Sequence, residues 1–138
     1  MEIFAYGTLR DAEYQQALFD RTLPTRAATL PDWLVVIAEG GYLTLVRAPG
    51  ETASGDLVTV DDAALAIADA WEEVPLYARL AVEAHAGGTA IAASVYVRTT
   101  ASNERAAAGM LARHARSEVL AHIRAFRRDY DRTRSESA

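Results

Sequence analysis

Met1-Glu2-Ile3-Phe4-Ala5-Tyr6-Gly7-Thr8-Leu9-Arg10 opens the chain, and its second half carries most of the information. Residues 2–6 read as a strand buried at its centre, and the strand runs straight into a glycine. Glycine lets the backbone take a positive φ or approach another group closely. Successive amide N–H groups at such a bend can point one way and cradle an anion or a carbonyl oxygen. Two readings of Gly7 stay open at this point. It either ends a strand, as a single turn glycine commonly does, or it shapes a small binding loop.

Outward from this bend, Asp11 to Asp20 has apolar positions at loosely helical spacing, and Leu23-Pro24 breaks it. Runs 26–30 and 33–38 are rich in strand formers and are divided by Pro31-Asp32, a turn signal. Gly40-Gly41 marks a further turn before a strand over 42–46, which Pro49-Gly50 closes. Residues 54–60 alternate as another strand. Asp61-Asp62 then caps an alanine-rich helix that should stop near Glu73, because Pro75 cannot continue it. Residues 76–85 and 89–98 read as strands joined through Gly87-Gly88, with Leu76, Ala78, Leu80 and Val82 on one side of the first. Residues 103–130 have a helical pattern with Met110, Leu111, Leu120, Ile123 and Phe126 as core positions, interrupted near His114–Ser117. Residues 131–138 read as a loose polar tail. Six or seven strands and two or three helices predict one α+β domain over residues 1–138. The sheet should be mixed but mostly antiparallel, a small β-barrel with flanking helices.

Composition narrows the function. Half of the 138 residues are apolar, enough for a real core. No apolar run is long enough to span a membrane and no signal peptide is visible, so the expected setting is cytoplasmic, with no membrane partner. The net charge of −5 speaks against nucleic-acid binding. There is no cysteine, which removes thiol nucleophiles and thiolate metal sites. All 14 basic residues are arginine, so a Schiff-base lysine and a P-loop are ruled out. Eight of those arginines lie after residue 103 against five acids, while the first 103 residues carry six against fourteen. The basic C-terminal helix either docks on the acidic body or faces solvent, and solvent is the default. His85, His114 and His122 lack metal-ligand spacing and read as surface or boundary residues.

Glu72 is the best candidate for chemistry. It follows Trp71 at the end of a helix, where a carboxylate gains nothing from the helix dipole. Burial beside an aromatic ring raises a carboxylate's pKa and suits it to general base duty. The competing reading is a pair of solvated acids, Glu72 and Glu73, ending a helix. Tyr77 and Arg79 share a face of the next strand, where Tyr77 either bonds a ligand or packs as an ordinary strand aromatic, and Arg79 can pair with Glu83 or Asp69. Tyr42, after Gly40-Gly41, is a candidate for the same pocket.

The ordered set Tyr6-Gly7-Thr8-Leu9, Gly55-Asp56-Leu57-Val58, Glu72 and Tyr77-Ala78-Arg79 resembles the γ-glutamylcyclotransferase-like, or AIG2-like, family. The resemblance covers residues 3 to about 98. It departs from the family's usual pattern at Glu73, where glycine is frequent, and at Leu43, where proline follows Gly-Tyr. The resemblance implies a small β-barrel that releases 5-oxoproline and a free amine from a γ-glutamyl amine or amide, without metal or cofactor. It implies Glu72 as general acid/base, and Tyr6, Gly7, Thr8, Leu9 and Tyr77 as substrate-binding residues. A module of the same fold that binds a small metabolite without turning it over is the alternative. Monomer and homodimer fit these residues equally.

Overall fold

A computed structural model describes residues 1–38, 40–72, 77–98, 104–107 and 109–137. Expectations placed on Glu73, Pro75, Leu76, Asn103 and Ala138 lie outside the described residues. The chain runs β1 (Glu2–Ala5), a 3-10 turn (Thr8–Arg10), α1 (Ala12–Phe19), β2 (Thr25–Ile37), β3 (Leu43–Thr59), α2 (Asp62–Trp71), β4 (Tyr77–Ala86), β5 (Thr89–Arg98) and α3 (Arg116–Ser137). The strands close into a barrel in the order β1-β3-β2-β4-β5. Pairing is antiparallel except between β1 and β5, where Ile3 faces Ser94 in a parallel match. The fold is therefore the α+β barrel with outer helices that the sequence predicts.

The six or seven expected strands reduce to five among the described residues, because two pairs merge. Runs 26–30 and 33–38 form one strand, β2, and the runs on either side of Pro49-Gly50 form one strand, β3. Both turn signals are real, but they face each other. Pro31 pairs with Thr52 while Trp33 pairs with Arg47, so the ladder absorbs both breaks in one bulge. Asp32 (φ 68°) and Gly50 (φ 85°) supply the left-handed residues there, and the Gly50 N–H donates to Asp32 Oδ1 at 3.1 Å.

β1 is buried on both faces, which explains its unbroken apolar run. Phe4 and Tyr6 point into the barrel with Leu30, Leu45, Leu57 and Val95. Ile3 and Ala5 point outward into a second core with Val58, Leu18 of α1, Ile67 of α2 and Ile123 of α3. Helix α2 has the cap expected at Asp61-Asp62, and Asp11 adds a cap to α1. Asp11 accepts from the amides of Glu13 and Tyr14, and Asp61 from that of Ala64. In the β4–β5 hairpin, Leu80 is 41% exposed, so the expected apolar side is not continuous; Val82 packs inward as expected, and Ala84 with it.

The C-terminal third departs most from expectation. Residues 104–107 are not helical. Arg105 bridges Val36, and the Ala106 N–H donates to the Val35 carbonyl at 3.1 Å. Main-chain pairing to β2 wins over the helix propensity of the alanines there. Gly109 then takes φ 79°, and the helix begins only at Arg116. Residues 131–137, expected as a loose tail, continue α3. This helix docks rather than facing solvent. Val119, Leu120 and Ile123 are buried, Arg116 bonds Asp11 and Glu13, and Arg127 bonds the Leu18 carbonyl and Asp20. No helix among the described residues is long and apolar enough to cross a membrane.

Candidate active site

β1 delivers the Tyr6–Leu9 bend to a cavity of about 260 Å³. Glu72, at the C-terminal end of α2, lines the same cavity, as do Tyr77, Tyr96 and Arg98 from the β4–β5 hairpin and Tyr42 from the loop before β3. The sequence-predicted residues Tyr6, Gly7, Thr8, Leu9, Glu72 and Tyr77 are thus brought together around one cavity.

Gly7 resolves in favour of close approach. Its φ is −135°, so no left-handed backbone is involved. A Cβ placed there would lie 3.2 Å from the Leu111 carbonyl oxygen. The bend continues as a 3-10 turn in which the Gly7 and Thr8 carbonyls accept from the amides of Arg10 and Asp11. The amides that open such a turn have no acceptor within it. Arg10 Nε bonds Asp56 Oδ2 at 2.7 Å and ties the bend to β3.

The floor is phenolic. Tyr6, Tyr77 and Tyr96 are buried, at 7%, 7% and 2% exposure. The Tyr6 hydroxyl donates to the Tyr96 carbonyl, and the Tyr77 hydroxyl to the Leu43 carbonyl at 3.4 Å. Burial raises the pKa of Tyr6 well above the usual phenol value, and the negative charge of Glu72 adds to it. Tyr96 shifts the same way, first by burial and then through its bond to Asp69. Tyr42 is pushed up to about 12, again mainly by burial. All three phenols feel the Glu72 carboxylate, and all three stay protonated at neutral pH.

Arg79 does not line the cavity. It grips Asp69 through both carboxylate oxygens, at 2.8 and 2.9 Å, and Asp69 also accepts from the Tyr96 hydroxyl at 2.7 Å. Three titratable lining residues escape the sequence reading: Tyr96, Arg98 and His122. The first two were within reach. A hairpin centred on Gly87-Gly88 pairs Tyr77 with Arg98, and so places Arg98 beside any pocket that holds Tyr77. His122 is exposed, as read, but it also lines the cavity and bonds the Tyr42 hydroxyl through Nδ1 at 2.8 Å. No local pattern announces that contact. Among the described residues no three His, Asp or Glu side chains are grouped to hold a metal.

The closed barrel with outer helices, and a polar-floored cavity at the end of its first strand, define an α+β barrel class. The profile of the family described as gamma-glutamyl cyclotransferase, AIG2-like, matches residues 3–113, and the chain belongs to that family. A solved structure of a gamma-glutamyl cyclotransferase superposes with a TM-score of 0.65 at 17% identity, covering 73% of this chain and 68% of that one. An AIG2-like protein from Mus musculus superposes with a TM-score of 0.59 at 24% identity, covering 74% and 79%. A protein from Arabidopsis thaliana, solved in solution, reaches 0.64 at 21% identity over 99% of this chain and 82% of its own. At these identities the likeness establishes the fold. No protein of curated function matches the chain.

Proposed function

We propose that the protein is a γ-glutamyl cyclotransferase that releases 5-oxoproline and a free amine from a γ-glutamyl amine or amide. The observation that carries this reading is that Glu72 and the Tyr6–Leu9 bend line one cavity. The substrate's α-amino nitrogen, in its neutral form, attacks the γ-carbonyl carbon of the same molecule. As the new C–N bond forms, the nitrogen sheds a proton to the Glu72 carboxylate. As the old C–N bond breaks, Glu72 returns that proton to the departing nitrogen. The products are the five-membered lactam and the amine, with no proton gained or lost.

The nucleophile and the carbonyl belong to one molecule, so the protein's main task is to fold the substrate into a ring-forming shape. The bend amides would hold the glutamyl carboxylate or polarise the carbonyl oxygen, and Tyr77 would help define the floor. Glu72→Gln keeps the size of the side chain but removes its basicity. The expected result is loss of 5-oxoproline release by at least about a hundredfold, with the thermal transition unchanged. Full activity in that variant refutes the assignment.

A further inference from the structure

The cavity has two surfaces of different chemistry. Its floor is buried and polar, with Tyr6, Tyr77 and Tyr96. Its mouth is aromatic and open to solvent, because Tyr42 and Trp71 are only half-buried and His122 is exposed. These three rings are braced against movement. Tyr42 stands edge-on to Trp71 at 6.0 Å and is bonded to His122. Trp71 is in turn backed by Phe126 at 5.5 Å. His122 and Phe126 lie on α3, beyond the stretch that the family profile matches.

We propose that this aromatic mouth, formed by Tyr42, Trp71 and His122, seats the amine half of the substrate and selects amines that carry a flat apolar group. The inference rests on the cyclotransferase reading. A glutamyl group brings an amine, a carboxylate and an amide carbonyl, and its polar partners lie at Glu72, the bend and the floor. The part that departs must leave through the mouth, and there it meets rings. A flat apolar group packs edge or face against such rings and sheds water on binding, whereas a methyl group gains little.

The test compares L-γ-glutamyl-benzylamide with L-γ-glutamyl-methylamide on the wild type and on His122→Ala and His122→Gln. Initial rates of 5-oxoproline release give the ratio of kcat/KM. Calorimetry in a Glu72→Gln background, where turnover stops, gives the same contrast as a ratio of Kd. The wild type should favour the benzylamide about tenfold. Both variants should bring the ratio close to one, the benzylamide losing more than the methylamide. His122→Gln retains a hydrogen-bonding partner for Tyr42, so its loss of preference belongs to the ring. It also decides the matter if His122→Ala fails to fold.

Equal treatment of the two amides by the wild type overturns the proposal. So does a preference that survives both variants, or a parallel fall in both substrates, which would mark His122 as merely structural. If the wild type releases no 5-oxoproline from either compound, the cyclotransferase reading fails. The wild-type Kd ratio then decides the seat alone: tenfold supports it, and one overturns it.

Discussion

Replacing Asp69 should loosen the protein by an amount its contacts allow to be worked out. Asp69 lies on α2, three residues before Glu72, and binds two strands at once. Arg79 of β4 contacts both of its oxygens, and the Tyr96 hydroxyl of β5 donates to one of them at 2.7 Å. The Arg79 and Asp69 side chains are 33% and 32% exposed, so the ion pair contributes about 0.5–1 kcal/mol. The hydrogen bond from a buried phenol to a carboxylate is worth more, about 1.5–3 kcal/mol, because its loss strands the phenol. Alanine is the better helix former and returns about 0.5 kcal/mol. Asp69→Ala should therefore cost about 2 kcal/mol in urea unfolding, and lower Tm by about 6–8 °C in a chain of this size. Asp69→Asn keeps an acceptor for Tyr96 and should cost about half as much. In a double-mutant cycle, Tyr96→Phe should remove most of the penalty of Asp69→Ala, since no phenol is left unsatisfied. An Asp69→Ala variant within about 0.5 kcal/mol of wild type would show that these bonds do not hold α2 to the hairpin. Equal losses for Ala and Asn would place the energy in the ion pair instead.

Gly55→Ala should cost about 3 kcal/mol or prevent folding, because the added Cβ would lie 2.4 Å from the Ala5 carbonyl oxygen and 2.8 Å from the Phe4 ring; denaturant titration or soluble yield reads this directly. Asp11 should make α3 docking sensitive to acid. The hydrogen bond from Arg116 holds its carboxyl below the usual value, so its folded form takes up a proton less readily than its unfolded form. Its contribution is therefore present above about pH 4 and is lost as pH falls through the folded pKa. Unfolding free energies between pH 6 and pH 3 should fall more steeply in the wild type than in Asp11→Asn, and identical slopes would refute this.

Legibility followed the range of the interactions. Asp61 was readable as a helix cap because a cap is satisfied within three residues, and Asp11 caps α1 by the same means. The Gly87-Gly88 hairpin was readable because its turn fixes its register. Pro31-Asp32 and Pro49-Gly50 were correctly seen as breaks but wrongly seen as ends. A break ends a strand only if the partner does not bend with it, and that depends on residues about twenty positions away. The helix expected from residue 103 fails at the alanines 106–107 for a related reason. Their helix propensity is a few tenths of a kcal/mol each, less than the main-chain bonds that tie this segment to Val35 and Ile37.

The cavity divides along the same line. The bend and Glu72 carry their own local signals: a glycine after a buried strand, and a carboxylate beside Trp71 where a helix must stop. Closure of the barrel through the parallel match of β1 with β5 brings the hairpin that carries Tyr77, Tyr96 and Arg98 to them as a unit, and no period or turn residue encodes that match. His122 is harder still. It sits on the exposed side of a helix whose buried positions, Val119 and Ile123, fix its rotation for reasons of packing alone. Once those two are buried, His122 is carried to the rim of the cavity and within reach of Tyr42. The mouth can therefore change by single substitutions on α3 that leave the core and Glu72 untouched, whereas the floor cannot, because Tyr6 and Tyr96 also hold the barrel closed. Under the proposed cyclotransferase function, such a division would let the amine preference vary while the ring-closing chemistry stays where it is.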